Sequence, residues 1–245
     1  MFEGAAIAEE RPLALEIPLR PAILRDLGRV RYAEAFELQR KLVERRKRAE
    51  IPDQLLIVEH PPVVTMGRNG HDDNLLAAPE LLARAGIEFH HTDRGGDVTF
   101  HGPGQIVGYP IVDLKEWKRD VVAYVRAIEE VLIGALAEFG IRGRREPGAT
   151  GVWVSAPGGP AKIAAIGIHI SRWVASHGFA LNVDADLSYF RYIVPCGLTK
   201  PVTSMREAGS SAARGAVVEA LGRNFGRVFE RAMAHASGCA FMEKL

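Results

Sequence analysis

Cys196 stands in Tyr192-Ile-Val-Pro-Cys-Gly197, where an apolar extended run breaks at Pro-Cys-Gly. A cysteine at a strand end with glycine beside it can present its sulfur to a cleft without crowding. The position suits a nucleophile as well as the small buried hydrophobe that most cysteines are. Lys162 opens Lys162-Ile-Ala-Ala-Ile-Gly-Ile-His-Ile170, and strict alternation predicts its side chain on the face of Ala164, Ile166 and Ile168. A lysine leading an apolar face either snorkels to water or sits partly desolvated. Desolvation lowers the pKa of an amine, which would let it accept a thiol proton as general base. Cys239, in a tail beside Ser237 and Gly238, is read as non-catalytic.

The run Arg94-Gly-Gly-Asp-Val-Thr-Phe-His101-Gly-Pro-Gly-Gln105 packs four glycines and a proline between extended segments. Glycine density lets backbone N–H groups approach a ligand oxygen. The run is not a P-loop, because no Gly-Lys-Ser/Thr ends it, and Gly102 to Gly108 misses the dinucleotide pattern by one residue. Its alternative reading is a tight hairpin with Arg94 and His101 on the surface. His71, Asp72, Asp73, His90, His91, Asp93 and His101 suggest a metal cluster in composition only, since no His-x-x-x-His organises them, and no metal is expected. Arg68, in the Arg68-Asn-Gly70 turn, is a secondary candidate for the rim of a substrate channel.

These groups need a scaffold. Tyr32, Phe36, Gln39 and Val43 recur at helical steps, predicting a helix from about Leu27 to Arg48 whose Arg45-Arg-Lys-Arg48 end is solvated. Strands are expected over 54–59, 63–66, 87–91 and 105–112, with Pro110 favouring an edge position for the last. Pro79 and Gly86 bracket a short helix, and Asp120 and Gly140 a longer one. Further strands follow over 151–154, 163–170 and 178–183. A final helix from Ser211 to Ala234 aligns Val218, Leu221, Phe225, Val228 and Phe229. Clustered strands and helices favour an α+β fold, a mixed or antiparallel sheet flanked by helices, over a βαβ array. Residues 1–20 are expected to be a loosely ordered leader and 21–245 a single catalytic domain.

Composition narrows the function classes. With 47% apolar and 25% charged residues the chain buries an ordinary core, and 31 Lys+Arg against 30 Asp+Glu leave a charge of +1. No strong field calls for nucleic acid or an anionic membrane. Two distant cysteines without zinc-type spacing argue against a disulfide scaffold or a thiolate metal site and favour a reducing cytoplasm. Trp117, Trp153 and Trp173 lack basic neighbours in alternation and read as packing. Arg142-Gly-Arg-Arg145 could attract an acidic carrier protein or be a solvated loop.

Four ordered motifs together resemble the octanoyltransferases of lipoate biosynthesis, which share the fold of biotin and lipoate ligase catalytic domains. They are Arg94 to His101 with Gly102-Pro-Gly-Gln-Ile-Val-Gly-Tyr109, Lys162-Ile-Ala-Ala-Ile-Gly167, His177-Gly-Phe-Ala-Leu-Asn182, and Pro195-Cys-Gly197. The resemblance implies that Cys196 accepts an octanoyl group from octanoyl acyl carrier protein as a thioester. The group then passes to a lysine of lipoyl domains, on 2-oxoacid dehydrogenase E2 subunits and the glycine cleavage H protein. Lys162 matches the residue that lowers the pKa of the cysteine. Arg94, Gly95, Gly96, Asp97, Val98, Thr99, Phe100 and His101 match the acyl-substrate segment, whose glycine N–H groups and polar side chains would hold the thioester oxygen. Ala165, Ile166, Gly167, Gly178, Phe179 and Ala180 match further substrate-lining stretches. No cofactor is implied. The rivals are an ATP-dependent lipoate ligase on the same fold, and a non-catalytic module that binds acylated carrier protein.

Overall fold

The structure, a computed structural model, describes residues 18–194 and 200–236. Cys196, Cys239 and the leader up to residue 17 lie outside the described residues. In chain order the elements are β1 (Arg20–Arg29), α1 (Tyr32–Lys47), β2 (Asp53–Glu59), β3 (Val63–Met66), α2 (Pro79–Arg84), β4 (Glu88–His91), β5 (Val98–His101) and β6 (Gln105–Ile111). Then follow α3 (Val121–Ala137), β7 (Arg144–Glu146), β8 (Ala149–Ala156), β9 (Gly159–Ser171), β10 (Val174–Asn182), α4 (Arg214–Phe229) and β11 (Arg231–His235).

An eight-stranded sheet runs β11-β1-β2-β6-β10-β9-β8-β7, and a three-stranded sheet runs β4-β3-β5. Pairing is parallel at β11-β1-β2 and antiparallel from β2 to β7, so the large sheet is mixed, as the α+β expectation required. Helices α3 and α4 cover one face, where Leu132, Leu136, Leu221 and Phe225 bury Ile57, Ile106 and Leu181. On the other face Leu38 and Leu42 of α1 pack on Leu56, Val107 and Tyr109. The small sheet has its own core of Val64, Val98 and Phe100 with Tyr189 and Phe190 against it. Asp120 caps α3 by accepting from Ala123 N–H at 2.9 Å, which satisfies an orphan donor of the first turn.

Four expectations are corrected. The first helix starts at Tyr32, not Leu27, because Leu27–Arg29 belong to β1, which pairs with β2 through a register shift between Asp26 and Arg29. The last helix ends at Phe229: Glu230 turns left-handed at φ 55°, and 231–235 become the edge strand that pairs with β1. Pro110 lies in an interior strand between β2 and β6's other neighbour β10. The β6–β10 ladder runs only to Gly108, and a Cβ on Gly178 would stand 2.4 Å from Pro110 Cδ, so glycine leaves the space the ring fills. The basic end of α1 is not wholly solvated. Arg46 is 4% exposed and binds Asp53 and Glu116, whereas Arg45 and Arg48 pair with Glu50 at the surface.

Candidate active site

Lys162 reaches the site through an irregularity in β9. Val152 pairs with Ala164 but Trp153 pairs with Lys162, so one extra β9 residue is accommodated between them. Such a bulge reverses the alternation. Ile163 and Ala164 both enter the core under α3 and α4, while Lys162 turns to the opposite face with Ala165. The expectation that Lys162 shares a face with Ala164, Ile166 and Ile168 is therefore corrected. Its side chain is buried, its Nζ lies 4.9 Å from the Trp153 ring centroid, and among the described residues no carboxylate pairs with it.

The backbone of Lys162 carries the segment that follows the Pro-Cys-Gly run. Lys162 N–H donates to Pro201 O at 2.8 Å, and Thr203 N–H donates to Lys162 O at 2.9 Å. Asn182 secures the same segment twice, by Nδ2 to Thr203 O and by its own carbonyl accepting from Met205 N–H, both at 2.9 Å. On the upstream side Val194 N–H donates to Asn74 O at 2.7 Å, and Ile193 bridges to Leu75.

Beside Lys162 lies a narrow slot walled by Thr99, Gln105, Ala165, Ala180, Asn182 and Phe190. Thr99, Ala165 and Ala180 also wall a second slot that continues past Gly96, Arg94 and Gly167 to His177. Small side chains on β9 and β10 make this room. A Cβ on Gly167 would stand 2.9 Å from Gly95 O, so glycine there lets the 94–96 turn lie on the sheet.

The eight residues from Arg94 divide by direction. Arg94, Gly96, Thr99 and His101 line the cavity, whereas Val98 and Phe100 face the core of the small sheet. Gly95 and Asp97 hold the turn: Gly95 N–H donates to Ile168 O at 2.8 Å, and Asp97 accepts from His71 and Val98 N–H and from Asn74 Nδ2. The Gly95 N–H is thus occupied, and of the glycine N–H groups expected at a thioester oxygen this one faces the sheet instead. The Arg94 guanidinium donates to Thr65 O at 2.8 Å and to Gly95 O at 3.1 Å, so it braces β3 against its own turn. Ala165, Ile166, Gly167, Gly178, Phe179 and Ala180 all border the cavity, although Ile166 and Phe179 also pack in the core of the far face.

A buried polar chain crosses the floor. Gln105 Nε2 donates to Asn182 Oδ1 at 2.8 Å, which leaves Gln105 Oε1 to accept from His101 Nδ1–H at 2.7 Å. Burial, followed by the nearby His60, pushes the pKa of His101 down to about 3, so the ring is a neutral donor. Burial also lowers the pKa of His177 against the opposing pull of Asp93, whose Oδ1 lies 2.7 Å from its Nε2. Gln105 and Asn182 were visible in the sequence only as members of longer motifs. Their shared role depends on the register that sets Asn182 opposite Gln105. Tyr32 and Val107 also line the cavity, and their helix and strand patterns mark them only as buried. Arg68 lies on the exposed turn and donates its N–H to Arg94 O. Arg145 of the basic stretch is held by Glu129 and Glu130.

A mixed sheet with helices on both faces, and a lysine-headed slot under a glycine-rich turn, defines a class. Residues 31–226 match the lipoyl protein ligase A/B catalytic domain, and the chain belongs to that family. Its fold is that of a bipartite lipoate protein ligase from Thermoplasma acidophilum studied with its E2 lipoyl domain, at TM-score 0.70 and 15% identity over 93% of this chain and 90% of that one. Within the family the chain resembles octanoyltransferases: it is 59% identical to that of Solibacter usitatus over 86% of this chain and 94% of the relative. To the octanoyltransferase of Koribacter versatilis it is 56% identical, over 84% and 83%. The activity is octanoyl transfer in lipoate biosynthesis, and the protein is an acyltransferase. Among the described residues no helix is long and apolar enough to cross a membrane.

Proposed function

We propose that the protein takes the octanoyl group of octanoyl acyl carrier protein onto Cys196 and delivers it to a lysine of lipoyl domains, with residues 21–245 acting as one catalytic unit in the cytoplasm. The acceptors are the lipoyl domains of 2-oxoacid dehydrogenase E2 subunits and the glycine cleavage H protein. Lys162 takes the thiol proton, the thiolate attacks the donor thioester carbonyl, and the carrier thiol leaves with that proton. In the second half the acceptor lysine amine attacks the Cys196 thioester. An amide forms, the C–S bond breaks, and the amine proton returns to the cysteine sulfur by way of Lys162.

The observation that carries this reading is the pair of hydrogen bonds between the Lys162 backbone and Pro201 and Thr203. Pro201 is five positions after Cys196, a span of at most about 18 Å, so the chain length allows Cys196 to reach the lysine. The apolar slot beside Lys162 suits an alkyl chain, with each buried methylene contributing about 0.8 kcal/mol. Octanoyl carrier protein and an apo lipoyl domain, mixed with the protein in the absence of ATP, are expected to yield octanoyl-lysine on the lipoyl domain. A strict requirement for ATP would instead establish the ligase, and carrier binding without turnover the non-catalytic module.

A further inference from the structure

Two spaces lie back to back at the end of the cavity remote from Lys162. One is the second slot, about 40 Å³, which shares Thr99, Ala165 and Ala180 with the slot beside Lys162. The other is an open groove of about 670 Å³ beside α1, bordered by Phe36, Gln39, Asp93 and His169. The imidazole of His177 lines the slot and is gripped by residues of the groove. Its Nε2 meets Asp93 Oδ1 at 2.7 Å, the Phe36 ring stacks on it with centroids 5.4 Å apart, and its backbone N–H donates to Gln39 Oε1 at 2.8 Å. These contacts hold a bulky residue at φ 54°, a left-handed conformation that non-glycine residues seldom adopt.

We propose that His177 is the end wall of the acyl slot and sets the length of chain the enzyme accepts. The inference rests on the reading that the acyl group occupies this slot with its carbonyl at Lys162. The dimensions agree with it. From Asn182 beside Lys162 to Gly178 is four residues of β10, about 13 Å at ~3.3 Å per residue. Eight carbons in zigzag, joined by seven bonds of ~1.5 Å, cover about 9 Å, which leaves room for the reacting thioester and little for a longer tail. Burial keeps the ring uncharged, so a terminal methyl group can rest against it without desolvating a charge. The groove behind it would admit a longer chain once the ring is gone.

His177→Gly is the direct test, because glycine accepts the left-handed backbone while removing the wall. Transfer rates are compared for hexanoyl, octanoyl, decanoyl and dodecanoyl carrier protein. Wild type is expected to fall steeply beyond eight carbons. The variant is expected to raise the decanoyl-to-octanoyl ratio about ten-fold, the discrimination two methylenes provide. Phe36→Ala, which removes the ring behind His177, should move the profile several-fold in the same direction and serves if His177→Gly does not fold. An unchanged profile in a variant that melts like wild type and still transfers octanoate overturns the inference and leaves the proposed function standing. Wild-type protein that transfers none of the four chains would overturn both.

Discussion

Lys162 owes its place to one extra residue. The irregularity at Lys162 and Ile163 sends the lysine away from the α3–α4 core and into the slot with Ala165. Period-two reading could not find this, because a bulge has no signature in the alternation it interrupts. The type of residue and its neighbourhood to small side chains were legible; the face was not. His101 behaves differently, since its role follows from burial that no single residue reveals. Its folded pKa of about 3 against an ordinary 6.5 means the unfolded chain binds the extra proton between those values. The stability from its neutral form is therefore complete above pH 6.5 and is lost as pH falls toward 3. The slope reaches up to about 1.4 kcal/mol per pH unit. His60 and His177, lowered chiefly by burial, add with the same sign. Urea unfolding between pH 7.5 and 5 should show stability falling with pH, and a His101→Gln variant should flatten the curve. A flat wild-type profile would contradict this account.

At the scale of elements, the strand end at Asn182 joins the floor of the site to the segment after Cys196. Asn182→Ala leaves Thr203 O without its bond from Asn182 and reduces Gln105 Nε2 to its longer 3.3 Å bond to Phe100 O. Each buried polar group left unpaired costs about 1–3 kcal/mol. The expected result is a loss of about 2 kcal/mol by chemical denaturation, together with acyl transfer slowed at least ten-fold. Transfer at the wild-type rate would show that the 201–205 segment needs no such anchor. Helix starts and stops were legible where a cap or proline marks them, as at Asp120 and Pro79. The end of α4 was not, because the apolar pattern of Val228 and Phe229 runs on into Met233, which belongs to an edge strand packed on the same core. Pro110 misled for a related reason: Gly178, across the sheet, removes the clash that would exclude it.

For the molecule as a whole, a buried charge cluster ties the parallel edge of the large sheet to α1. Asp53 accepts from Arg46 and from Arg231, each at 2.8 Å, and all three side chains are at most 4% exposed. Removing the shared carboxylate by Asp53→Ala strips the buried Arg231 guanidinium of its carboxylate partner, leaves Arg46 with Glu116, and should cost about 3–5 kcal/mol. For a chain of this size that lowers the thermal midpoint by about 10 °C. A midpoint within two or three degrees of wild type would show that solvent reaches the cluster. Nothing in the sequence paired these three residues, which lie on α1, β2 and β11. By contrast the fold class and the three motifs that border the cavity were legible, because glycine turns and small-residue strands keep their character wherever the chain carries them.

The most direct test of the central claim is the intact mass of the protein after mixing with octanoyl acyl carrier protein, without ATP and without a lipoyl domain. An octanoyl-sized, hydroxylamine-labile increase is expected on wild type, slow to form on Lys162→Ala and absent on Cys196→Ala. An adduct that persists on Cys196→Ala, or no adduct from a donor shown to be intact, would contradict the thioester relay.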